Sequence, residues 1–206
     1  METIVSQTDK ERIKAAIGAA EAACGAEIVT VMAKASDSYT YIAWMWAALG
    51  ALAFPALVLA LFPEVKPIHL YGGELLVFML LITLFQIERI KMALIPRSLK
   101  RHRAALNARH HFMLQQVHKT MTRASVMLFV SHGERYVEIL TDTAVAEKIP
   151  DAEWEKVVAR FVGHVREGRV AEGYIEAIGM SAKLLSAPFP SSPEDVDALP
   201  NRLIEV

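Results

Sequence analysis

Two short stretches rich in β-branched residues decide the fold, EIVTVMAK at Glu27–Lys34 and ASVMLFVS at Ala124–Ser131. Each has the length and composition of a buried β-strand. Because one strand cannot form a sheet alone, we expect the two to pair, and the long crossover between them is compatible with parallel pairing. The soluble segments on either side of the crossover are therefore predicted to form one α/β domain.

A third strand and four helices are predicted around this pair. The His132-Gly133 turn leads into RYVEIL at Arg135–Leu140, which favours an antiparallel hairpin with the preceding strand. Apolar residues at helical spacing predict helices over residues 9–24, 98–122, 151–168 and 170–186.

The first of these helices contains the only cysteine of the chain. A T-x-x-E capping box at Thr8 and Glu11 is expected to start the helix, and Gly25 to end it. Cys24 is then expected on the buried face. One cysteine excludes an internal disulfide framework and any metal site built from several cysteines.

The crossover contains a long uncharged stretch, YIAWMWAALGALAFPALVLALF at residues 41–62. As a helix it would extend ~33 Å at ~1.5 Å per residue, enough to cross the ~30 Å hydrocarbon core of a membrane. Buried helices of soluble domains are rarely so long and apolar on every face, so we interpret it as a transmembrane helix. Ala43, Ala47 and Ala51 form a small-residue stripe that favours close helix packing.

A second apolar stretch at residues 70–87 contains one carboxylate, Glu74. Its position near the start of the stretch would let Glu74 reach headgroups or water, and the alternative is a role in an ion pathway. The connector of seven residues, Pro63–His69, makes the two spans a hairpin. Both flanks of the hairpin must then lie on the same side of the membrane.

The charge of the chain is unevenly distributed. The net charge of −1 argues against a globally basic nucleic-acid binder, yet residues 88–123 hold nine basic residues and one acidic residue, a local charge of +8. Because this block follows a predicted span, we expect it to bind anionic lipid headgroups rather than nucleic acid, and the positive-inside rule places it in the cytoplasm. The predicted membrane-surface residues are Arg89, Lys91, Arg97, Lys100, Arg101 and Arg103.

These patterns divide the chain into four segments. Residues 1–40 supply the first half of the α/β domain, and residues 41–87 supply the transmembrane hairpin. Residues 88–186 supply the basic juxtamembrane helix and the second half of the domain, and residues 187–206 form a Pro-rich C-terminal tail.

Six segments follow one another along the chain: EIVTV at 27–31, SVMLFVS at 125–131, ERYVEI at 134–139, EKIPD at 147–151, VAEG at 170–173 and LPNRLIEV at 199–206. This ordered set resembles the TPM domain family, and more closely its compact bacterial membrane members. The resemblance implies an αβα sandwich, here interrupted by the hairpin. Some family members are described as weak acid phosphatases or calcium binders, and many have no assigned activity. The charge distribution predicts a hairpin in the inner membrane with both termini cytoplasmic.

Candidate chemistry is confined to a few charged residues. Asp142, Glu147 and Asp151 would bind calcium or magnesium if the loop folds back. Alternatively, Asp142 and Asp151 cap helices and Glu147 is a solvated helix residue. Glu134 and Arg135 would hold a phosphate, or they form an ion pair at the hairpin turn. Together with Asp142 and Asp151 they are the catalytic candidates for a metal-assisted phosphatase.

Histidines cluster in the predicted basic helix but lack metal-ligand spacing. No pair among His102, His110, His111 and His118 is separated by four residues, so we expect solvated or lipid-facing side chains rather than a zinc site.

Three functions are compatible with the sequence. The favoured one is an integral membrane protein that displays a cytoplasmic TPM-like domain for binding, assembly or quality control of membrane protein complexes. The first alternative is a weak, metal-assisted acid phosphatase. The sequence contains no nucleophile motif and no nucleotide-binding motif, so catalytic activity is implied by the family resemblance alone and is left open. The second alternative is a membrane oligomer that forms a transport path.

Overall fold

The computed structural model describes residues 5–115, 124–191 and 201–206. Its contacts divide the chain into two compact units. We call Met1–Ser36 with Arg103–Val206 the sheet unit, and Asp37–His102 the hairpin unit. The hairpin unit is therefore inserted in sequence between two parts of the sheet unit.

The described residues form a mixed sheet of four strands, β1 (Ala26–Ala33), β2 (Ala124–Ser131), β3 (Tyr136–Thr141) and β4 (Leu203–Glu205), in the order β3-β2-β1-β4. The central strands β1 (Ala26–Ala33) and β2 (Ala124–Ser131) are parallel along their whole length, from Ala26 opposite Ala124 to Ala33 opposite Ser131. The predicted parallel pairing is confirmed. The strand β3 (Tyr136–Thr141) is antiparallel to β2, and the short β4 (Leu203–Glu205) is parallel to β1.

Helices cover both faces of the sheet. Alternate side chains of β1 contribute to two separate cores, since Ile28 and Met32 face one side while Val29 and Val31 face the other. The larger core lies against α1 (Gln7–Ala23), α7 (Asp151–Arg166) and α8 (Val170–Ser186). The smaller core contains Ala108 and Phe112 of α5 (Arg97–Leu114). This arrangement confirms the predicted α/β class. The helices are α1 (Gln7–Ala23), α2 (Thr40–Leu61), α3 (Pro67–Phe85), α4 (Glu88–Leu94), α5 (Arg97–Leu114), α6 (Thr143–Lys148), α7 (Asp151–Arg166) and α8 (Val170–Ser186).

The helix ends differ in detail from the prediction. The N-cap of α1 is Ser6, whose hydroxyl accepts the backbone N–H of Asp9 at 3.1 Å, so the capping box at Thr8 and Glu11 was wrong. Cys24 rather than Gly25 is the C-cap, and its side chain is buried as predicted. The helix α5 ends at Leu114, and the predicted continuation to residue 122, with His118, lies outside the described residues.

Two strand assignments also change. Arg135 has a positive φ of 52° and belongs to the turn, so β3 begins at Tyr136 instead of Arg135. The strand β4 was not predicted, because a three-residue strand is defined by its pairing with β1 and not by a local pattern.

Candidate functional site

The hairpin unit presents the most unusual surface of the described chain. Both α2 and α3 are long and apolar enough to cross a membrane, but only 22% of the apolar window of α2 and 0% of that of α3 is buried. The core helix of a soluble domain would be mostly buried, and these two are not. The exposed side chains include Trp44, Trp46, Leu57, Leu76 and Leu80.

Small residues bring α2 and α3 close together. The predicted alanine stripe is buried, with Ala43, Ala47 and Ala51 all less than 5% exposed. A Cβ atom on Gly73 would lie 2.5 Å from Cε1 of Phe54, whereas a Cβ atom on the neighbouring Gly72 would meet nothing within 4 Å. Gly73 therefore lies on the helix–helix contact and Gly72 lies off it.

A groove of about 470 Å³ opens between these two helices. Apolar residues of both helices line it, among them Ala48 and Ala51 of α2, together with Tyr71 and Glu74 of α3. Because α3 begins at Pro67, Glu74 lies ~10 Å along the helix from its first residue, at ~1.5 Å per residue.

The basic residues follow the hairpin in α4 and the first turns of α5. Arg89, Arg97 and Arg101 are exposed, and Lys91 and Lys100 are half-buried. Arg103, the sixth predicted membrane-surface residue, is also half-buried and belongs to the sheet unit.

In the sheet unit, the predicted pair Glu134 and Arg135 is separated. Glu134 is only 8% exposed, while Arg135 is exposed, and within the described part of the chain no ion pair joins them. The Glu134 carboxylate instead accepts the backbone N–H of Ser36 at 2.9 Å and the hydroxyl of Ser131. Ser36 also donates its hydroxyl to Ser131 Oγ at 3.0 Å. Ser36, Ser131 and Glu134 form a polar cluster where β1 and β2 end.

The sequence reasoning missed both serines of this cluster. Ser131 is the last residue of β2, on the same face as Met127 and Phe129, and Glu134 follows after three residues. That alternation could have indicated a buried partner for Ser131. Ser36 carries no comparable signal, because it lies outside any strand.

Asp142 has a structural position, and both of its oxygens are used. One accepts the N–H of Val145 at 2.9 Å and so caps α6, as the sequence predicted. The other accepts the N–H of Ser125 at 3.0 Å, at the start of β2. These bonds fasten α6 to the sheet.

The remaining candidate acids are exposed. Glu147 lies on α6, and Asp151 is the first residue of α7, whose N-cap is Pro150 rather than Asp151. Among the described residues, no group of three or more His, Cys, Asp or Glu side chains is placed to hold a metal ion. The structure therefore does not bring Asp142, Glu147 and Asp151 together as a metal site.

The four catalytic candidates are not brought together either. Asp142 contacts Ser125 at the start of β2, while Glu134 contacts Ser131 at its end. These two serines are separated by roughly 20 Å at ~3.3 Å per strand residue. No single substrate phosphate can contact both carboxylates.

Two histidines lie in defined environments. His111 stacks on Phe129 with ring centroids 6.2 Å apart, and burial lowers the pKa of its imidazole. It packs on the sheet, contrary to the expectation of a solvated or lipid-facing ring. His164 of α7 donates to Glu176 of α8, which also accepts two hydrogen bonds from Arg160.

The described residues thus define a helix-covered mixed sheet with a pair of apolar helices inserted after its first strand. Residues 89–184 match the TPM domain family. The predicted TPM domain is therefore confirmed for residues 89–184. The matched segment begins after the hairpin, and the structure shows that β1, which precedes the hairpin, completes the sheet.

A solved structure has the same fold. The NMR structure of BA42 protein from the psychrophilic bacterium Bizionia argentinensis aligns with a TM-score of 0.63 at 15% identity, over 100% of this chain and 98% of that one. At this identity the similarity is one of fold alone. No curated protein matches the chain.

Proposed function

We propose that this protein is an integral membrane protein whose hairpin anchors a TPM domain at the membrane surface. The observation that carries the proposal is the exposure of the apolar side chains of α2 and α3. Burying one large apolar side chain is worth about 1.5–3 kcal/mol, and soluble monomers rarely expose contiguous apolar patches of this kind. A lipid environment removes this cost.

The basic residues support an orientation. They follow the second span directly, whereas the connector between the spans holds only Lys66. The positive-inside rule then places both soluble flanks, and so both termini, in the cytoplasm, with the hairpin in the inner membrane. Anionic headgroups would add about 1 kcal/mol per nearby Lys or Arg, so lipid and not nucleic acid is the proposed partner of this segment.

The role proposed for the anchored domain is binding, in the assembly or quality control of membrane protein complexes. This role rests on family analogy. Glu134 and Asp142 contact opposite ends of β2, and this separation favours a binding role over phosphatase chemistry.

Alkaline extraction and reporter fusions test the anchor. The protein should stay in the membrane pellet at high pH, and a C-terminal fluorescent-protein fusion should be bright while a C-terminal alkaline-phosphatase fusion is inactive. Replacing Arg97, Lys100 and Arg101 with Gln should yield a mixed orientation, because the charge difference across the hairpin falls. The same change at Lys156, Arg166 and Lys183 in the sheet unit is the control. An extractable wild-type protein would disprove the anchor, and an active phosphatase fusion would disprove the orientation.

A further inference from the structure

Glu74 lies in an apolar groove and has no charge partner within the described ranges. Among the described residues of the chain, its carboxylate makes no hydrogen bond and no ion pair, although the groove encloses it partly between Ala48, Ala51 and Phe78. The only Lys or Arg between residues 40 and 85 is Lys66, in the connector. Neither α2 nor α3 therefore offers Glu74 a Lys or Arg partner.

Glu74 lies inside α3 and not at its end. It follows the first residue of α3 by seven positions, or ~10 Å along the helix axis. A carboxylate in a hydrocarbon environment is costly unless it is paired or protonated. A Lys or Arg partner for the ionised carboxylate would have to come from outside α2 and α3.

We propose that the groove docks a transmembrane helix of a partner protein that carries a Lys or Arg side chain at the depth of Glu74. This proposal rests on the proposed membrane insertion. The small, exposed side chain of Ala48 on the wall of the groove allows a helix backbone to approach closely, and Glu74 supplies charge complementarity. A second copy of this chain would present another Glu74 and no Lys or Arg within α2 or α3, so self-association would not supply a basic partner at this position.

Energy transfer in liposomes tests the proposal with a defined probe. The full-length protein, with its tryptophans as donors, is reconstituted with a dansyl-labelled apolar transmembrane peptide that carries one Lys ~10 Å from its end. The comparison peptide carries Leu at that position. The Lys peptide should associate roughly tenfold more tightly than the Leu peptide. The preference should disappear in Glu74→Gln and persist in Glu64→Gln, which removes the exposed acidic residue of the connector.

A second variant controls for loss of folding. Ala48→Phe keeps Glu74 but fills the groove at an exposed position, so it should also abolish association with the Lys peptide. Equal association of both peptides with wild-type protein, or a Lys preference that survives Glu74→Gln, would overturn the proposal. Glu74-dependent association of the protein with itself in place of the peptide would also overturn it. Alkaline extraction of the same liposomes first establishes insertion, so failure of the anchor is distinguished from failure of the groove.

Discussion

The Glu134 carboxylate accepts the backbone N–H of Ser36 at 2.9 Å, across 98 residues of sequence. Two backbone bonds run beside it, from His132 N–H to the Ala33 carbonyl and from Gly133 N–H to the Lys34 carbonyl. Ser36 is the last residue of the first part of the sheet unit. The β2–β3 turn therefore holds the chain at the point where it leaves the sheet for the hairpin unit.

The first prediction concerns this connection. Glu134→Ala should lower the free energy of unfolding of the sheet unit by about 1–3 kcal/mol, since it leaves the Ser36 N–H and the Ser131 hydroxyl without this acceptor. Urea unfolding in mild detergent measures it, with Trp154 as the only tryptophan after Trp44→Phe and Trp46→Phe. Glu147→Ala, which removes an exposed acid, should change the stability by less than about 0.5 kcal/mol. An equal loss in both variants would show that the cluster contributes nothing specific.

The second prediction separates a structural role of Asp142 from a catalytic one. Asp142→Ala removes the α6 cap and the acceptor for Ser125, so it should cost about 1–2 kcal/mol of stability. Asp151→Ala should cost much less, because Asp151 is exposed and does not cap α7. Unfolding is measured as for Glu134. Any hydrolysis of p-nitrophenyl phosphate should fall only in proportion to the folded fraction; abolished hydrolysis by fully folded Asp142→Asn would favour the phosphatase alternative.

The sequence predicts those strands and helices that are identifiable from the residue composition of a whole segment. EIVTVMAK and ASVMLFVS are recognisable as buried strands from their β-branched residues, and the apolar spans from their length. The polar contacts depend instead on residues distant in sequence. The cap at Asp142 follows from local spacing, but its bond to Ser125 requires that β2 and β3 are already paired. The bond from the Ser36 N–H to Glu134 likewise joins residues that are 98 positions apart, and no local pattern indicates it.

The third prediction concerns the packing of the hairpin. Gly73→Val should destabilise the α2–α3 contact by about 1–3 kcal/mol, because the new side chain would meet the ring of Phe54. Gly72→Val is the matched control, since a Cβ atom there has open space. Thermal unfolding in detergent, followed by Trp44 and Trp46 in a Trp154→Phe background, compares the two. Equal stability of the two variants would mean that α2 and α3 do not pack through Gly73.

The last prediction uses the pH dependence of the sheet unit. The pKa of Glu176 is lowered from its usual 4.5, first by the hydrogen bond from His164 and then by that from Arg160. A carboxyl group whose pKa is lower in the folded chain stabilises the fold above its unfolded pKa, and this contribution is lost as the pH falls through the folded value. Glu176→Gln should therefore be less stable than wild type at neutral pH, and the difference should shrink below pH 4.5.

Urea midpoints between pH 3 and pH 7 measure this effect, again with Trp154 fluorescence. Glu155→Gln is the matched control, because Glu155 is an exposed residue of α7 that makes no ion pair within the described part of the chain. Its midpoints should follow those of wild type at every pH. A difference between Glu176→Gln and wild type that stays constant down to pH 3 would show that Glu176 acts through shape and not through its charge. The contact between α7 and α8 would then depend on the apolar packing of Phe161 against Tyr174, whose rings meet edge to face 5.1 Å apart.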